Sequence, residues 1–215
     1  AEDQSGYLAG YAAVKDGFTK LGFMGGMAVP AVVRYGYGFV QGAEAAAKEM
    51  GIANVDVKYH YTGGFDATPE VQTLASSWYA DGTEVIFACG GAVGFSVMAA
   101  ADAAGAKVIG VDVDQSGENP TVITSAMKGL SDAVQQTLAD YYAGSFPGGE
   151  SLVLGAESKG VALPMETSKF TTFTQADYEK VFASLADGSI KLKQDTDVAD
   201  ASALGTAIVK VTVIQ

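Results

Sequence analysis

Two aspartates stand where an apolar run of strand length ends: the run KVIGVDVD, residues 107–114, carries Asp112 and Asp114. An ionised carboxylate accepts two hydrogen bonds, so it can hold a neighbouring pair of sugar hydroxyls. Strand alternation points both carboxylates the same way. Asp114 is better placed to cap a turn through its own backbone, so the pattern favours Asp112 as a ligand-holding group.

Glycines follow the other apolar runs of the chain, in GGM (25–27), TGGFDATPE (62–70) and CGGAVG (89–94). In a parallel sheet such stretches meet at the carboxyl ends of the strands, where ligands bind and where glycine lets the backbone approach them closely. The spacing in GGAVG is not the GxGxxG of a dinucleotide site, and no GxxxxGK[ST] phosphate loop occurs. These stretches therefore predict a pocket for a small molecule of another kind.

Catalytic and metal-binding patterns are sparse. His60 and Cys89 are the single histidine and cysteine, so the sequence offers no internal disulfide and no Cys/His zinc cluster. It has no GxSxG and no Ser/His/Asp pattern. A carboxylate pair of the glycosidase type stays open, although nothing marks one. We predict a binding protein that is not an enzyme and that uses no metal or cofactor.

The charge of the chain argues against nucleic acid as a partner. Among 215 residues, 13 are basic and 25 are acidic, which gives a formal net charge of −12. Such a surface repels a phosphate backbone. No apolar run approaches the roughly 20 residues that span a bilayer, and the first ten residues lack the basic and apolar regions of a signal peptide.

Strand-length apolar runs alternate with helical patterns through most of the chain. The runs predict strands at 20–26, 55–62, 84–90, 107–114 and, more weakly, 121–125, with helices at 30–50, 68–81, 92–104 and 128–143. This alternation predicts a doubly wound α/β lobe with a mostly parallel sheet and helices on both faces.

The two ends of the chain fit this alternation less simply. Residues 3–14 read as a helix, with Asp3 or Ser5 as the cap, although no strand precedes it. Later segments predict a strand at SLVLGA (151–156), a helix over 174–187 that begins with Thr174, and a strand in TAIVKVTVI (206–214).

Several blocks together resemble the basic membrane protein (PnrA-like) family, the substrate-binding lipoproteins of ABC transporters. The matching blocks are GYLAGYAA, LGFMGGMAVPAVVRYGYGFVQGAEAAAK, DGTEVIFACGGAVGFSVMAAA, VIGVDVDQ and VITSAMKG, within about residues 5–165. The resemblance implies a type I periplasmic-binding-protein fold that closes over a nucleoside, and a chain that lacks most of the N-terminal lobe. It implies three parts: a ligand-binding lobe (1–127), a crossing or hinge helix towards the missing lobe (128–147), and a return to the lobe with a C-terminal strand (148–215).

The resemblance also assigns roles to residues. Asp112 matches the carboxylate that holds the ribose hydroxyls, and Lys128 matches the cation that also reaches the ribose. Gly90 and Gly91 match glycines whose backbone lines the pocket. The aromatic ring that stacks on the base is Phe87 or Phe65, a choice that the sequence leaves open, and Met27 completes the predicted ligand-binding set. Ala92 and Val93 stand where the family usually has Thr or Ser after its glycines.

The function that the resemblance implies is nucleoside uptake, with a purine nucleoside favoured. The expected partners are the nucleoside, the permease subunits of an ABC transporter and the missing N-terminal lobe. The expected location is extracytoplasmic, with a lipid anchor on an upstream cysteine. Two alternatives remain: a sugar- or nucleoside-binding sensor or regulator domain, and an α/β enzyme acting on nucleosides or sugars, which turnover of the ligand would reveal.

Overall fold

A computed structural model describes residues 1–214 and confirms the alternation of strands and helices. The helices and strands, in chain order, are α1 Glu2–Lys15, β1 Lys20–Gly25, α2 Pro30–Met50, β2 Val55–Tyr61, α3 Pro69–Ala80, β3 Val85–Cys89, α4 Val93–Ala104, β4 Lys107–Asp112, β5 Val122–Lys128, α5 Leu130–Tyr142, β6 Val161–Ala162, α6 Gln175–Ala186 and β7 Val209–Val213.

The strands form one sheet in the order β6-β5-β4-β3-β1-β2-β7. All neighbours are parallel except β5 and β6, which pair antiparallel through Met127 and Lys128. The parallel strands therefore bring their carboxyl ends to one edge. This topology confirms the predicted doubly wound α/β lobe.

Alternate residues of each strand pack against helices on opposite faces of the sheet. Phe23 and Phe87 belong to the core shared with α1, α2 and α6. Met24 and Ile86 belong to a second core shared with α3 and α4. Because both faces are covered, the central strands are apolar on both sides, as expected of a parallel sheet.

Two helices, α3 and α6, begin at threonines that cap them. The Thr68 hydroxyl accepts the amide hydrogen of Val71 at the start of α3, with a proline at the first helical position. The predicted start of α6 is confirmed, because Thr174 and Asp177 form a reciprocal capping box.

The predicted cap of the first helix is wrong. α1 begins at Glu2, and both Asp3 and Ser5 are buried inside it. The Ser5 hydroxyl donates to the carbonyl oxygen of Met127 on β5, 3.0 Å away, so tertiary packing uses a side chain that could have capped the helix.

The strand predicted at 151–156 is also absent from the described chain. Leu152 and Val153 are exposed and lie in an irregular segment with no partner strand. Instead, the carbonyl oxygen of Leu154 accepts a hydrogen bond from the amino group of Ala1 at 3.0 Å. A short apolar run becomes a strand only where a neighbouring edge can accept its backbone hydrogen bonds.

Candidate functional site

A small cleft of about 70 Å³ lies at the carboxyl edge of the sheet, where β3, β4 and β5 end beside the start of α2. Five of the seven predicted site residues line it. The lining residues are Ala31, Val32, Tyr35, Phe65, Cys89, Gly90, Gly91, Val111, Asp112 and Lys128.

Asp112 and Lys128 form an ion pair in this cleft. Lys128 Nζ lies 3.0 Å from Asp112 Oδ1, and both side chains are partly exposed. The pair exists because β4 and β5 are parallel neighbours, with Asp112 beside Met127 in the register. Asp112 has a φ of 67°, in the left-handed region that residues other than glycine seldom adopt. Such strain is typical of sites where surrounding structure fixes a side chain for a purpose.

Tyr35 also holds Asp112, and sequence reasoning missed it. Its hydroxyl donates to Asp112 Oδ1 at 3.3 Å, and Lys128 Nζ lies 5.5 Å from its ring centroid. Burial, with the negative charge of Asp112 nearby, raises the pKa of Tyr35 far above its ordinary value, so the hydroxyl stays a donor. Within residues 1–214 no hydrogen bond engages Oδ2 of Asp112, which leaves that oxygen available. A tyrosine inside a helix carries no sequence signal for this role.

Gln115, in the same VDVDQ block, shapes the backbone around Asp112. Its side-chain oxygen accepts the backbone amide hydrogen of Val111 at 2.9 Å, and the backbone amide of Gln115 donates to the Ser125 hydroxyl oxygen at 3.0 Å. A Cβ atom on Gly110 would lie 2.6 Å from the same oxygen of Gln115, so a larger residue there would displace this side chain. These contacts tie the end of β4 to β5 and fix the carboxylate.

Asp114 turns away from the cleft. Its Oδ1 accepts the amide hydrogen of Ser116 at 2.9 Å, and its Oδ2 accepts the Thr167 hydroxyl at 2.6 Å. Partial burial acts to raise its pKa, but these hydrogen bonds outweigh burial and hold the pKa below its ordinary value. Asp114 is thus a turn-capping residue, the interpretation that the sequence favoured.

The glycines allow the backbones of two strand ends to touch. A Cβ atom on Gly90 would lie 2.7 Å from the amide nitrogen of Gly26, and Gly26 donates to the carbonyl oxygen of Cys89 at 3.0 Å. Gly91 has a φ of 58°. These positions expose backbone to the cleft, and α4 begins directly behind them.

The two candidate aromatic rings occupy different environments. Phe65 is 37% exposed and contacts Gly26 and Gly91 at the cleft. Phe87 is fully buried, and its ring packs edge-on against Phe23 and Tyr35 at centroid distances of 5.5 and 5.8 Å. Phe87 therefore packs against Tyr35 inside the core. It has no free face for a ligand, because its side chain is on the core-facing side of β3. Met27 is exposed at the same edge but does not line the cleft.

Other chemistry-bearing groups do not enlarge the site. Cys89 lines the cleft but is buried, and this burial raises the pKa of its thiol well above the ordinary value, which disfavours the reactive thiolate. Residues 1–214 contain no group of three or more His, Cys, Asp or Glu side chains that could hold a metal ion. The same residues contain no helix with the length and apolar content that a bilayer crossing requires.

The fold is that of the solute-binding proteins of ABC transporters. A crystal structure of such a protein from Aeropyrum pernix K1 superposes with a TM-score of 0.78 at 23% identity, covering 91% of this chain and 65% of that one.

The family model described as ABC transporter substrate-binding protein PnrA-like matches residues 1–195, and the chain belongs to this family. It is 30% identical to the "ABC transporter nucleoside-binding protein BmpA" of Lactococcus lactis, over 88% of this chain and 58% of that protein. It is 32% identical to "Basic membrane protein D" of Borreliella burgdorferi, over 90% of this chain and 57% of that protein. The chain thus spans a little over half the length of these relatives.

Proposed function

We propose that this chain is the larger part of the substrate-binding component of an ABC transporter, and that it binds a nucleoside, with purine nucleosides favoured. The observation that carries the proposal is the Asp112–Lys128 pair, set at the carboxyl edge of the sheet beside the exposed ring of Phe65. The name of the Lactococcus lactis relative, a nucleoside-binding protein, supports the choice of ligand.

Each group in the cleft has a part in this proposal. Lys128 and Tyr35 occupy Oδ1 of Asp112, so Oδ2 accepts the ribose hydroxyls while Lys128 donates to a ribose oxygen. The base stacks on Phe65, a contact that contributes on the order of 1–3 kcal/mol. The backbone at Gly90 and Gly91 lines the remaining side. None of these groups forms a nucleophile–base pair, so the proposed role is binding without turnover.

A second lobe completes the site in this proposal. The cleft of about 70 Å³ is far smaller than the roughly 300–1,000 Å³ of typical ligand pockets, so one lobe supplies only part of the wall. The exposed apolar stripe of α5 supports the predicted division into a lobe (1–127), a crossing helix (128–147) and a return (148–215). We propose that this stripe, formed by Leu130, Val134, Leu138 and Tyr141, packs against an N-terminal lobe.

The proposed setting follows from the family. The two lobes close on the nucleoside outside the cytoplasm, and the permease subunits recognise the closed form. A lipid anchor on an upstream cysteine would hold the protein at the membrane.

Calorimetry with adenosine, guanosine, inosine and uridine, and with the corresponding bases and ribose, tests the ligand. We would titrate both the 215-residue chain and a form extended at its N-terminus to the length of the relatives. The extended form should bind a purine nucleoside, and Asp112→Asn should weaken binding by about tenfold or more. Asp102→Asn, an equal charge change on the exposed face of α4, should leave binding unchanged.

The 2′-deoxynucleoside separates the ribose contact from a general loss of structure. It should bind the native protein less tightly than the ribonucleoside, and the difference should shrink in Asp112→Asn. Equal affinity of the native protein for the two nucleosides would show that Asp112 does not bind the 2′-hydroxyl of the ribose. Chromatography of the recovered ligand should return it intact; consumed ligand would replace the binding function with an enzymatic one.

A further inference from the structure

A second and larger cavity, which we name the tyrosine pocket, lies at the other end of the same sheet edge. Its volume is about 280 Å³, close to the lower limit of roughly 300 Å³ for small-molecule sites. The strands β3 and β1 separate β4, which carries Asp112, from β2, which ends in this pocket. The first turns of α2 also divide the two: Val32 and Tyr35 face the nucleoside cleft, whereas Val33 and Tyr37 face the tyrosine pocket.

Part of the pocket wall comes from a segment outside the family match. The match ends at residue 195, and Asp200, Ala201 and Val213 follow it. Val213 belongs to β7, which pairs with β2 along the edge of the sheet. The pocket therefore depends on residues that the family pattern does not include.

The polar groups of the pocket are tyrosine hydroxyls and carboxylates. The hydroxyls of Tyr59 and Tyr61 bond to each other at 2.9 Å. Tyr37 is 3% exposed, yet among residues 1–214 its hydroxyl makes only a long contact of 3.5 Å, with the carbonyl oxygen of Val198. A buried hydroxyl with so weak a partner retains most of its capacity to bond a ligand.

The charged side chains that line the tyrosine pocket are two carboxylates, Asp195 and Asp200, which lie there together with Tyr37. Burial, and then the charges of these two carboxylates, raise the pKa of Tyr37. Asp195 pairs with Arg34 at 3.4 Å, and Arg34 also pairs with Glu2 at 2.9 Å. Two carboxylates and one shared cation leave an excess of negative charge beside aromatic walls.

We propose that the tyrosine pocket binds a small organic cation, a protonated amine with an apolar body. The ammonium group would donate to the carboxylates of Asp195 and Asp200 and to the hydroxyl oxygen of Tyr37. The body would pack against Pro30, Val33 and the tyrosine rings, where a cation gains further attraction from the ring faces. Anionic ligands are repelled by the same charges. This site is independent of the proposed nucleoside cleft.

The test is calorimetry of the 215-residue chain with phenethylammonium chloride and with its neutral counterpart, 2-phenylethanol. Phenethylammonium should bind saturably and the alcohol about tenfold more weakly or not at all. Asp200→Asn should weaken binding of the cation by about tenfold, while the amide oxygen still accepts the Ser202 amide hydrogen that Asp200 now accepts. Ala199→Trp should fill the pocket and abolish binding, and Asp102→Asn should have no effect.

Three results would overturn the proposal. One is the absence of saturable heat up to roughly 10 mM of the cation. Another is equal binding of the alcohol, which would exclude charge recognition. The third is unchanged affinity in Ala199→Trp, which would place the ligand elsewhere. Circular dichroism of each variant should match that of the native chain, and Val33→Phe provides a second way to fill the cavity if Ala199→Trp does not fold.

Discussion

Helices α1 and α5 have almost the same length, 14 and 13 residues, but opposite environments. In α1 every residue from Ser5 to Val14 is buried, between α2, α6, β5 and β6. In α5 no residue is buried, and its apolar side chains lie exposed along one stripe. α1 packs against β5, and α5 follows β5 directly in the chain, so the contrast comes from the partners that each helix finds within the described chain.

Small residues allow α1 to be buried. Gly6 and Gly10 face α2, and Gly38 and Gly42 of α2 face α1, each four residues apart. A Cβ atom at any of these positions would overlap a carbonyl oxygen of the other helix, so the two backbones are in direct contact. α5 has large apolar residues at its corresponding spacing. Its exposed apolar side chains can pack against those of another surface, which agrees with the proposal that a second lobe covers it.

The largest effect should come from adding a side chain where the backbones of α1 and α2 touch. Gly10→Ala would force the helices apart at the carbonyl oxygen of Phe39. Overpacking costs about 1–3 kcal/mol where side chains can move, and here the obstacle is backbone, so we expect about 3 kcal/mol or more. Gln135→Ala on exposed α5 should change the free energy of unfolding by less than about 0.5 kcal/mol. Urea denaturation followed by circular dichroism measures both; a tolerant Gly10 would mean that the helices are not packed backbone to backbone.

A leucine-to-alanine pair compares the two helices with the same chemistry. Leu8 is fully buried and Leu138 is half exposed. Leu8→Ala should destabilise the chain by about 3 kcal/mol, whereas Leu138→Ala should cost less than about 0.5 kcal/mol. In the form extended to the length of the relatives, Leu138→Ala should become destabilising. Equal small costs in both forms would mean that nothing packs on α5.

The smallest effect concerns tyrosines and alkaline pH. Burial, with a contribution from Glu49, raises the pKa of Tyr7 on α1 from an ordinary value near 10 to about 12. The unfolded chain ionises first, so stability is complete below pH 10 and falls as pH rises from 10 to 12, by about 1 kcal/mol per pH unit for one such group. Tyr7→Phe should remove part of that loss, and Tyr142→Phe on α5, where the side chain is exposed, should not. Urea titrations at pH 9, 10 and 11 measure the difference; identical slopes in all three proteins would remove Tyr7 from the alkaline transition.

The sequence predicted the positions of strands and helices along the chain well, and the roles of individual side chains less well. Apolar runs and Gly, Pro and Thr punctuation located the strands and helices of residues 20–128. The strand predicted at 151–156 is wrong because Leu152 and Val153 find no edge to pair with. The caps predicted at Asp3 and Ser5 are wrong because packing inside α1 uses both residues.

The candidate site shows the same division. Asp112, Lys128, Gly90, Gly91 and Phe65 could be named from their positions after strands and from the family resemblance. Tyr35 could not, because its contact with Asp112 joins residues 77 positions apart through the packing of α2 on the sheet. The sequence left open which ring, Phe87 or Phe65, could stack on a ligand, and the difference in their burial separated the two.

The sequence by itself determined the alternating α/β pattern and the family, because hydrophobic period, turn residues and short motifs are local properties. Only the tertiary structure decided which oxygen of Asp112 stays available, which aromatic ring has a free face, and that a second pocket closes against β7. These depend on distances between residues far apart in the chain, and local patterns carry no record of such distances.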